Sequence, residues 1–453
     1  MMNMRKNILI LLIMLSTSAV MSQSLSFDSC WTMMCNNNAQ LQNAQLEVER
    51  AKLVKKEAAT NYFPKVSGNV LGYKAMKPLV EYGIEDVENA QAREWLYNFY
   101  METGQSMGLP NTIAMCEQGL SLGATALQPI YMGGQIVNGN KLAKVGVEAA
   151  EGQKVLTEKQ QYVQLAQSYW LVVSLQEKQK TVEQALRLID TLYRDVQTAV
   201  AAGLTTSNDL LKVTMKRNEL LSAQLQVNNG VVLSKMALCQ LIGVQYTPDV
   251  TLTGNLTADT TWVRRSSYTD EVNLEHRVES QLLRLNVSAE KLKRKMLIGE
   301  TLPHLMIGAS TAYGNMIFDK YSYNTLGFAT LQVPITDWWA TSYKIKQQNI
   351  AVQKAVNDQR DLTEKMALEM TQLWNQVEEM RQQLILANST VEYAKQNLES
   401  VRTNYEAGVV AISELLEAQT LYRQALDQQT DASINYKLSA IKYKQVGFDG
   451  TMD

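Results

Sequence analysis

The sequence predicts a mostly helical α+β chain, a duplicated unit in which a pair of short strands precedes long coiled-coil helices. Three features carry that prediction. Proline is scarce, 7 in 453 residues, where about 5% is usual; proline breaks helices, so the chain is built for long uninterrupted ones. Apolar residues recur in stretches at alternating spacings of three and four, the 3.5-residue repeat of a left-handed coiled coil. The chain also repeats itself at a fixed offset.

The repeat is seen in Pro129-Ile130 and Pro334-Ile335, 205 residues apart. The same offset pairs Tyr169 with Trp374, Ala202-Gly203 with Ala407-Gly408, Leu210-Leu211 with Leu415-Leu416, and Asp209 with Glu414. Upstream, Tyr62-Phe63-Pro64 resembles Thr301-Leu302-Pro303 at an offset of 239, so the first copy holds 34 extra residues (239 minus 205), within about 76–118.

Each copy then reads in the same order. A lead-in helix is expected over about 36–62 and 270–300. A proline opens an alternating segment, Val66, Gly68, Val70 and Gly72 in copy one, and Leu305, Ile307, Ala309 and Thr311 in copy two. Period two is the mark of a strand. The second strands alternate at Leu120, Leu122, Ala124 and Ala126, and at Leu326, Phe328 and Thr330. Their relative register is open by one residue, and a slip of one exchanges the two faces.

Long helices follow. The seam of copy two runs Met370, Leu373, Val377, Met380, Leu384, Ala387, Val391, Ala394, Leu398, Val401 and Tyr405. Copy one repeats it at Val182, Leu186, Ile189, Tyr193, Val196 and Val200. No Pro or Gly interrupts 337–407, and seventy helical residues would extend ~100 Å. Both seams stop at Ala-Gly, a helix-ending signal. A second helix then returns, over about 205–242 and 411–445.

Charge and composition exclude other classes. The chain has 43 Lys+Arg against 45 Asp+Glu. Residues 1–22 read as a secretory signal: Arg5 and Lys6, an apolar Ile8 to Leu15, and a small-residue site at Val20-Met21-Ser22 before Gln23. Removing it leaves 41 minus 45, or −4, the wrong sign for a nucleic-acid binder. Two histidines, His276 and His304, leave little room for a His-based hydrolase or a multi-His metal centre. No nucleophile, metal cluster or phosphate loop supports an enzyme, and no cofactor is expected. Cys30, Cys35, Cys116 and Cys239 read as small apolar side chains, with a disulfide not legible. The 21 methionines fall mostly at seam positions or in the signal, where packing accounts for them.

Four strands on a secreted chain leave two unpaired edges. In lipid a sheet must close, and four strands are too few to close around a hole, so several chains must share one barrel. Tyr62, Phe63, Tyr131, Trp338 and Trp339 flank the strands, as an aromatic girdle at a membrane interface would.

The chain resembles the TolC-like outer-membrane efflux factor family over 25–445. The matching parts are Leu25-Ser26-Phe27-Asp28 opening the first helix with Asn36-Asn37-Asn38 after it, Tyr62-Phe63-Pro64, Leu127-Gln128-Pro129-Ile130 with Gly133-Gly134, both Ala-Gly tips with their Leu-Leu pairs, and Leu241-Ile242-Gly243. The order and the duplication are specific; no single motif is. The resemblance implies a homotrimer whose twelve-stranded barrel lies in the outer membrane of a Gram-negative bacterium and continues as a helical tunnel in the periplasm. It divides the chain into a signal at 1–22, a first repeat at 23–243 with its loop at 76–118, a linker at 244–269, a second repeat at 270–445 and a tail at 446–453.

The resemblance also implies roles for residues. The two tips, Ala202 to Asp209 and Ala407 to Glu414, would form the periplasmic mouth, with Ala202, Gly203, Leu204, Ala407, Gly408, Val409 and Val410 meeting a periplasmic adaptor protein that links to an inner-membrane transporter. Val409, Val410, Ala411 and Ile412 make the second tip apolar, which suits a partner surface or a local apolar staple. Glu414 and Glu417 would line the closed aperture, a trimer gathering six carboxylates that bind cations. Asp209 and Tyr405 match the family's locking positions. The family's latch arginine is replaced by Val410, leaving Arg402 and Arg423 as candidate substitutes. The insertion at 76–118 would face outside, as a variable loop or a contact for an external partner. The implied function is a passive exit duct for an efflux pump or a secretion machine. A secreted trimeric coiled-coil structural protein or adhesin is the alternative, though it leaves the proline-bounded strand pairs unexplained.

Overall fold

A computed structural model describes residues 24–77, 80–115, 118–254, 271–315 and 321–447. The signal at 1–22, Cys116, residues 255–269 of the linker and the tail from 448 onward lie outside these.

The first repeat runs β1 (Ser24–Leu25), α1 (Phe27–Asn37), α2 (Ala39–Thr60), β2 (Lys65–Lys74), β3 (Val80–Gly83), α3 (Ala90–Phe99), β4 (Thr112–Met115), β5 (Gln118–Met132), α4 (Gln135–Ala201) and α5 (Ser207–Ile242). A two-residue β6 (Thr251–Leu252) pairs with β1. The second repeat runs α6 (Glu271–His276), α7 (Val278–Glu300), β7 (His304–Gly314), β8 (Ser322–Gln332), α8 (Asp337–Glu406) and α9 (Ile412–Gly447). The expected order is present in both copies. Both lead-in helices differ: that of copy one starts at Phe27 and is divided at Asn38, and that of copy two is divided at Arg277. Ser26 caps α1, its Oγ accepting from the Ser29 N–H at 3.2 Å, and Asn38 Oδ1 caps α2 by accepting from Gln40 N–H at 2.9 Å.

The chain divides into two compact units. One comprises the described parts of Met1–Arg50, Glu148–Leu285 and Val356–Asp453. Its packing is the predicted seam. Val182, Leu186, Ile189 and Val196 are buried with Val213 and Leu220 of α5 and with Ile412, Leu415 and Leu416 of α9. Met366, Met370, Leu373, Val377 and Leu384 are buried with Ala432, Tyr436 and Tyr443. A full aliphatic side chain taken from water contributes about 1.5–3 kcal/mol, so the unbroken stripe is what fixes these helices against one another. The seam of α8 changes along its length: Ala387, Val391, Ala394, Leu398, Val401 and Tyr405 are only half-buried. Cys30 and Cys239 are buried thiols, Cys30 within a further core cluster, and burial pushes Cys30 up to about 11.

The other unit, Ala51–Val147 and Asn286–Ala355, holds an antiparallel sheet of order β2-β5-β7-β8. The chain passes from β5 into α4 through a close approach at Gly133, φ +59°, where an added Cβ would run into the carbonyl oxygen of Gly299 in α7. The extra 76–118 stretch is not a plain loop. It folds, with β3 paired to β4 and α3 between them.

Candidate functional site

Two places carry the sequence-predicted residues: the sheet and the helix tips. They are described separately.

The register of the sheet assembles one face that is uncharged up to Lys74, the last residue of β2. Val66, Gly68, Val70 and Gly72 lie opposite Ala126, Ala124, Leu122 and Leu120. Leu122, Ala124 and Ala126 lie opposite Tyr313, Thr311 and Ala309, and those in turn opposite Tyr323, Thr325 and Gly327. Three of the four alternating sets expected from sequence therefore share this face. The fourth does not: Leu326, Phe328 and Thr330 point the other way, and Thr325, Gly327, Ala329 and Leu331 take their place. The physical reason is Phe328, directly opposite Gly308, where a Cβ would come within 2.5 Å of its ring. That glycine is the socket for the ring, and it fixes the phase of β8.

Val66, Val70, Leu122, Ile307, Tyr323 and Leu331 of the uncharged face are all exposed, an arrangement that water penalises and lipid does not. The opposite face carries Ser67, Asn69, Ser121, Thr125, Ser310 and Asn324 among its apolar residues, with Thr125 and Ser310 hydroxyls bonded at 3.1 Å. Polarity thus differs between the faces as it does between the lumen and the lipid side of a barrel. β2 and β8 end the sheet, and each has one edge without a strand partner among the described residues.

The expected aromatics Tyr62, Phe63, Tyr131, Trp338 and Trp339 are exposed at one end of the strands. Trp338 Nε1 donates to the Thr301 carbonyl at 3.0 Å, and Gln128 Nε2 donates to the Tyr62 carbonyl at 3.0 Å. Sequence reasoning missed a second row at the other end: Tyr313 packs on Tyr321 and Tyr323 with ring centroids 5.5 and 4.6 Å apart. The signal was available, since three tyrosines flank one turn. The 11 residues of β7 at about 3.4 Å each extend ~37 Å. Tilted by about 40°, such a strand rises ~28 Å, close to the ~25 Å apolar band of outer-membrane barrels.

The tips are near-duplicates in hydrogen bonding. In the first, Gly203 has φ +71°, its N–H donates to Val200 O at 3.0 Å, and Leu204 N–H reaches back to Ala199 O at 2.8 Å. In the second, Gly408 has φ +72°, its N–H donates to Tyr405 O at 2.9 Å, and Val409 N–H to Asn404 O at 2.8 Å. This is the glycine-centred helix stop of the Schellman type, which needs the left-handed conformation that glycine adopts freely.

The tips differ in what starts the returning helix. Thr206 caps α5, and Asp209 folds back onto the cap. Its Oδ2 accepts from the Thr206 hydroxyl at 2.8 Å and the Thr205 hydroxyl at 3.0 Å, and its Oδ1 faces Lys212 Nζ at 3.5 Å. These bonds, that from Thr206 foremost, hold the Asp209 carboxyl below its ordinary range. The second tip has Ala411 at the corresponding position. Ile412 is buried in the helical core, Val410 is half-buried, and Val409 is 73% exposed, as Leu204 is at 82%. The apolar run is thus divided: Ile412 is a staple, and Val409 with Leu204 is free surface.

Of the predicted gate residues, Tyr405 lies within reach of the charge of Asp209 across the repeats. Burial first, then the charges of Asp209 and Asp195, push the Tyr405 hydroxyl upward. Glu414 and Glu417 lie in the first turns of α9, both exposed. The candidate latch residues are held on their own helices, Arg402 by Glu406 at 2.9 Å and Arg423 by Asp427 at 2.9 Å. Farther along the helices, Arg217 pairs with Asp190 at 2.6 Å, and Lys178 of the first repeat pairs with Asp431 of the second at 2.7 Å. No spacing in the sequence announces these last two pairs. Among the described residues no cluster of three His, Cys, Asp or Glu is placed to hold a metal, and no helix is long and apolar enough to cross a membrane.

Residues 281–443 match the family model of the outer membrane efflux protein. A search of curated proteins returns no match. Solved structures share the fold over nearly the whole chain. CusC aligns with a TM-score of 0.77 at 14% identity, covering 94% of this chain and 92% of its own. The outer membrane channel CmeC of Campylobacter jejuni gives 0.74 at 14%, covering 94% and 87%. The outer membrane protein VceC of Vibrio cholerae gives 0.72 at 15%, covering 93% and 96%. The resemblance drawn from the sequence thus holds in a family match over the second repeat and in fold over the chain. A coiled-coil adhesin finds no support in either.

Proposed function

We infer that this chain, which carries the outer membrane efflux protein domain in its second repeat and the fold of the TolC-like channels, is an outer-membrane exit duct of a tripartite efflux pump or type I secretion system. The observation that carries the reading is the sheet: one exposed, uncharged face between two rows of aromatics, and two edges left open. An open edge within lipid is untenable, and three copies of four strands make twelve, an even number suited to an antiparallel barrel. Strand directions agree, because β8 of one copy and β2 of the next would meet antiparallel. The half-buried lower seam of α8 supports the same assembly, since neighbouring copies would cover Val391, Leu398 and Val401.

In that trimer the chain conducts and does not catalyse. Transport energy comes from an inner-membrane transporter, and a periplasmic adaptor engages the tips through Leu204, Val409 and their neighbours Ala202, Gly203, Ala407, Gly408 and Val410. Glu414 and Glu417 of three chains form two carboxylate rings at the aperture, which concentrate cations, and the Tyr405–Asp209 approach holds the two repeats' hairpins closed. Opening is a rearrangement of these hairpins.

Planar-bilayer recording of the purified protein tests this. The reading predicts a small, cation-preferring conductance. Replacing both Glu414 and Glu417 with Ala lowers the cation preference and raises the conductance. Unchanged currents in that variant would remove the two residues from the gate, and no current from correctly assembled protein would remove the duct.

A further inference from the structure

We propose that the folded insertion between β2 and β5 is a docking platform for a cationic amphipathic polypeptide segment. Its placement outside the cell rests on the duct reading; the surface itself does not. The insertion is built as a rigid element. Asp86 Oδ2 accepts from the Gly83 N–H at 2.6 Å, and Asn89 Oδ1 caps α3 by accepting from the N–H groups of Gln91 and Ala92 at 3.0 and 3.1 Å. Past Phe99 the helix widens into one π turn, Tyr100–Gly104, closed by Gln105 N–H donating to Tyr100 O at 2.8 Å. Gly104 is buried against the Tyr100 ring, which a Cβ would approach to 2.9 Å. Such turns recur at functional sites.

This scaffold holds its aromatics outward. Trp95 and Phe99, one helical turn apart, stack with centroids 5.7 Å apart and planes 12° from parallel. Trp95 is 64% exposed and Phe99 43% exposed, and Tyr97 and Met101 on the adjoining stripe are about half exposed. Rigid aromatics presented this way are what interfaces use as anchors.

Charge selects the occupant. Residues 76–118 contain Lys77 and Arg93 against Glu81, Glu85, Asp86, Glu88, Glu94, Glu102 and Glu117, so 2 minus 7 gives −5, against −2 for the whole chain. Glu81, Glu85, Glu88, Glu94 and Glu102 are exposed and make no ion pair among the described residues. Arg93 is turned back to the Val87 carbonyl at 3.4 Å. Like charge disfavours a second copy on this surface, and the same sign disfavours anionic polymers. A lysine- or arginine-bearing segment satisfies both halves of the surface: its cations meet the carboxylates and the Trp95 and Phe99 ring faces, and its aliphatic residues cover the aromatic edges.

The test uses the full-length protein in phosphatidylcholine nanodiscs and a labelled 18-residue helical peptide of Lys and Leu, with a Glu and Leu peptide as control. The cationic peptide is expected to bind and the anionic one not. W95A with F99A should weaken binding at least tenfold, and E88Q, E94Q and E102Q together should do so with loss of its salt dependence. Bilayer conductance of both variants is measured alongside and is expected to match the parent, which separates failure of docking from failure of the duct. Equal binding by parent and variants, no binding, preference for a neutral oligosaccharide, or protection of a Trp95→Cys thiol by a second copy would each overturn the proposal.

Discussion

At the scale of single residues, the glycines at the two tips and at the start of α4 are under different constraints. An added Cβ at Gly203 or Gly408 meets nothing within 4 Å, so alanine there costs only the left-handed backbone, about 1–2 kcal/mol. Gly203→Ala and Gly408→Ala should each speed hydrogen exchange locally by about five- to thirtyfold and leave assembly intact. Gly133→Ala meets the Gly299 backbone directly and should abolish accumulation of assembled protein in the membrane. Asp209 adds a pH dependence. Hydrogen bonds, led by that from Thr206, depress its carboxyl. A depressed acid contributes stability above its unfolded pKa of about 3.9 and loses it as pH falls through the folded value. Exchange protection over 203–212 should therefore hold from neutral pH to about 4 and fall below it. Asp209→Asn should show weaker protection at neutral pH and no such fall. The glycine stops and the Asp209–Glu414 correspondence were legible because a Schellman turn demands glycine at one position. That Asp209 closes on Thr205 and Thr206 was written in the local sequence too, as a threonine three residues before an acid.

At the scale of elements, period alone located the four strands of the sheet but left the relative face of the second strands open by one residue, and the structure turns the alternating set of β8 away from the other three. Leu326, Phe328 and Thr330 alternate as well as Thr325, Gly327 and Ala329 do, and a period of two offers both phases equally. Only the socket at Gly308, a contact 20 residues away in sequence and adjacent in the sheet, selects between them. The insertion was similarly opaque, because its glycines and prolines read as a loop although Asn89 and Asp86 organise a helix and a turn. The faces make a sharp prediction. Leu122→Lys places an ammonium on the uncharged face and should destabilise the assembled barrel by about 2–4 kcal/mol, while Thr125→Lys, on the polar face, should cost much less. The urea midpoint of the extracted protein, read by its heat-modifiable migration on gels, separates the two. Equal loss in both would mean that the faces are not divided between lipid and lumen.

At the scale of the whole molecule, the account turns on a shortage of strands. Among the described residues one chain offers a four-stranded sheet with two open edges, an exposed apolar face, and a helical seam that is half-covered along the latter part of α8. In the proposed trimer each of these surfaces meets a copy of the same chain, and three copies would supply all of them with the strand directions already antiparallel. From sequence, the four short strands pointed to several chains and the family resemblance implied three, whereas the cross-repeat pair Lys178–Asp431 was not legible, because its members are 253 residues apart and no periodicity links them. Electron cryomicroscopy of the detergent-extracted protein tests the assembly most directly. The account predicts a three-fold particle in which twelve strands close around an open lumen, with β8 of each chain beside β2 of the next. A monomeric particle, or a trimer whose three sheets stay separate, would contradict it.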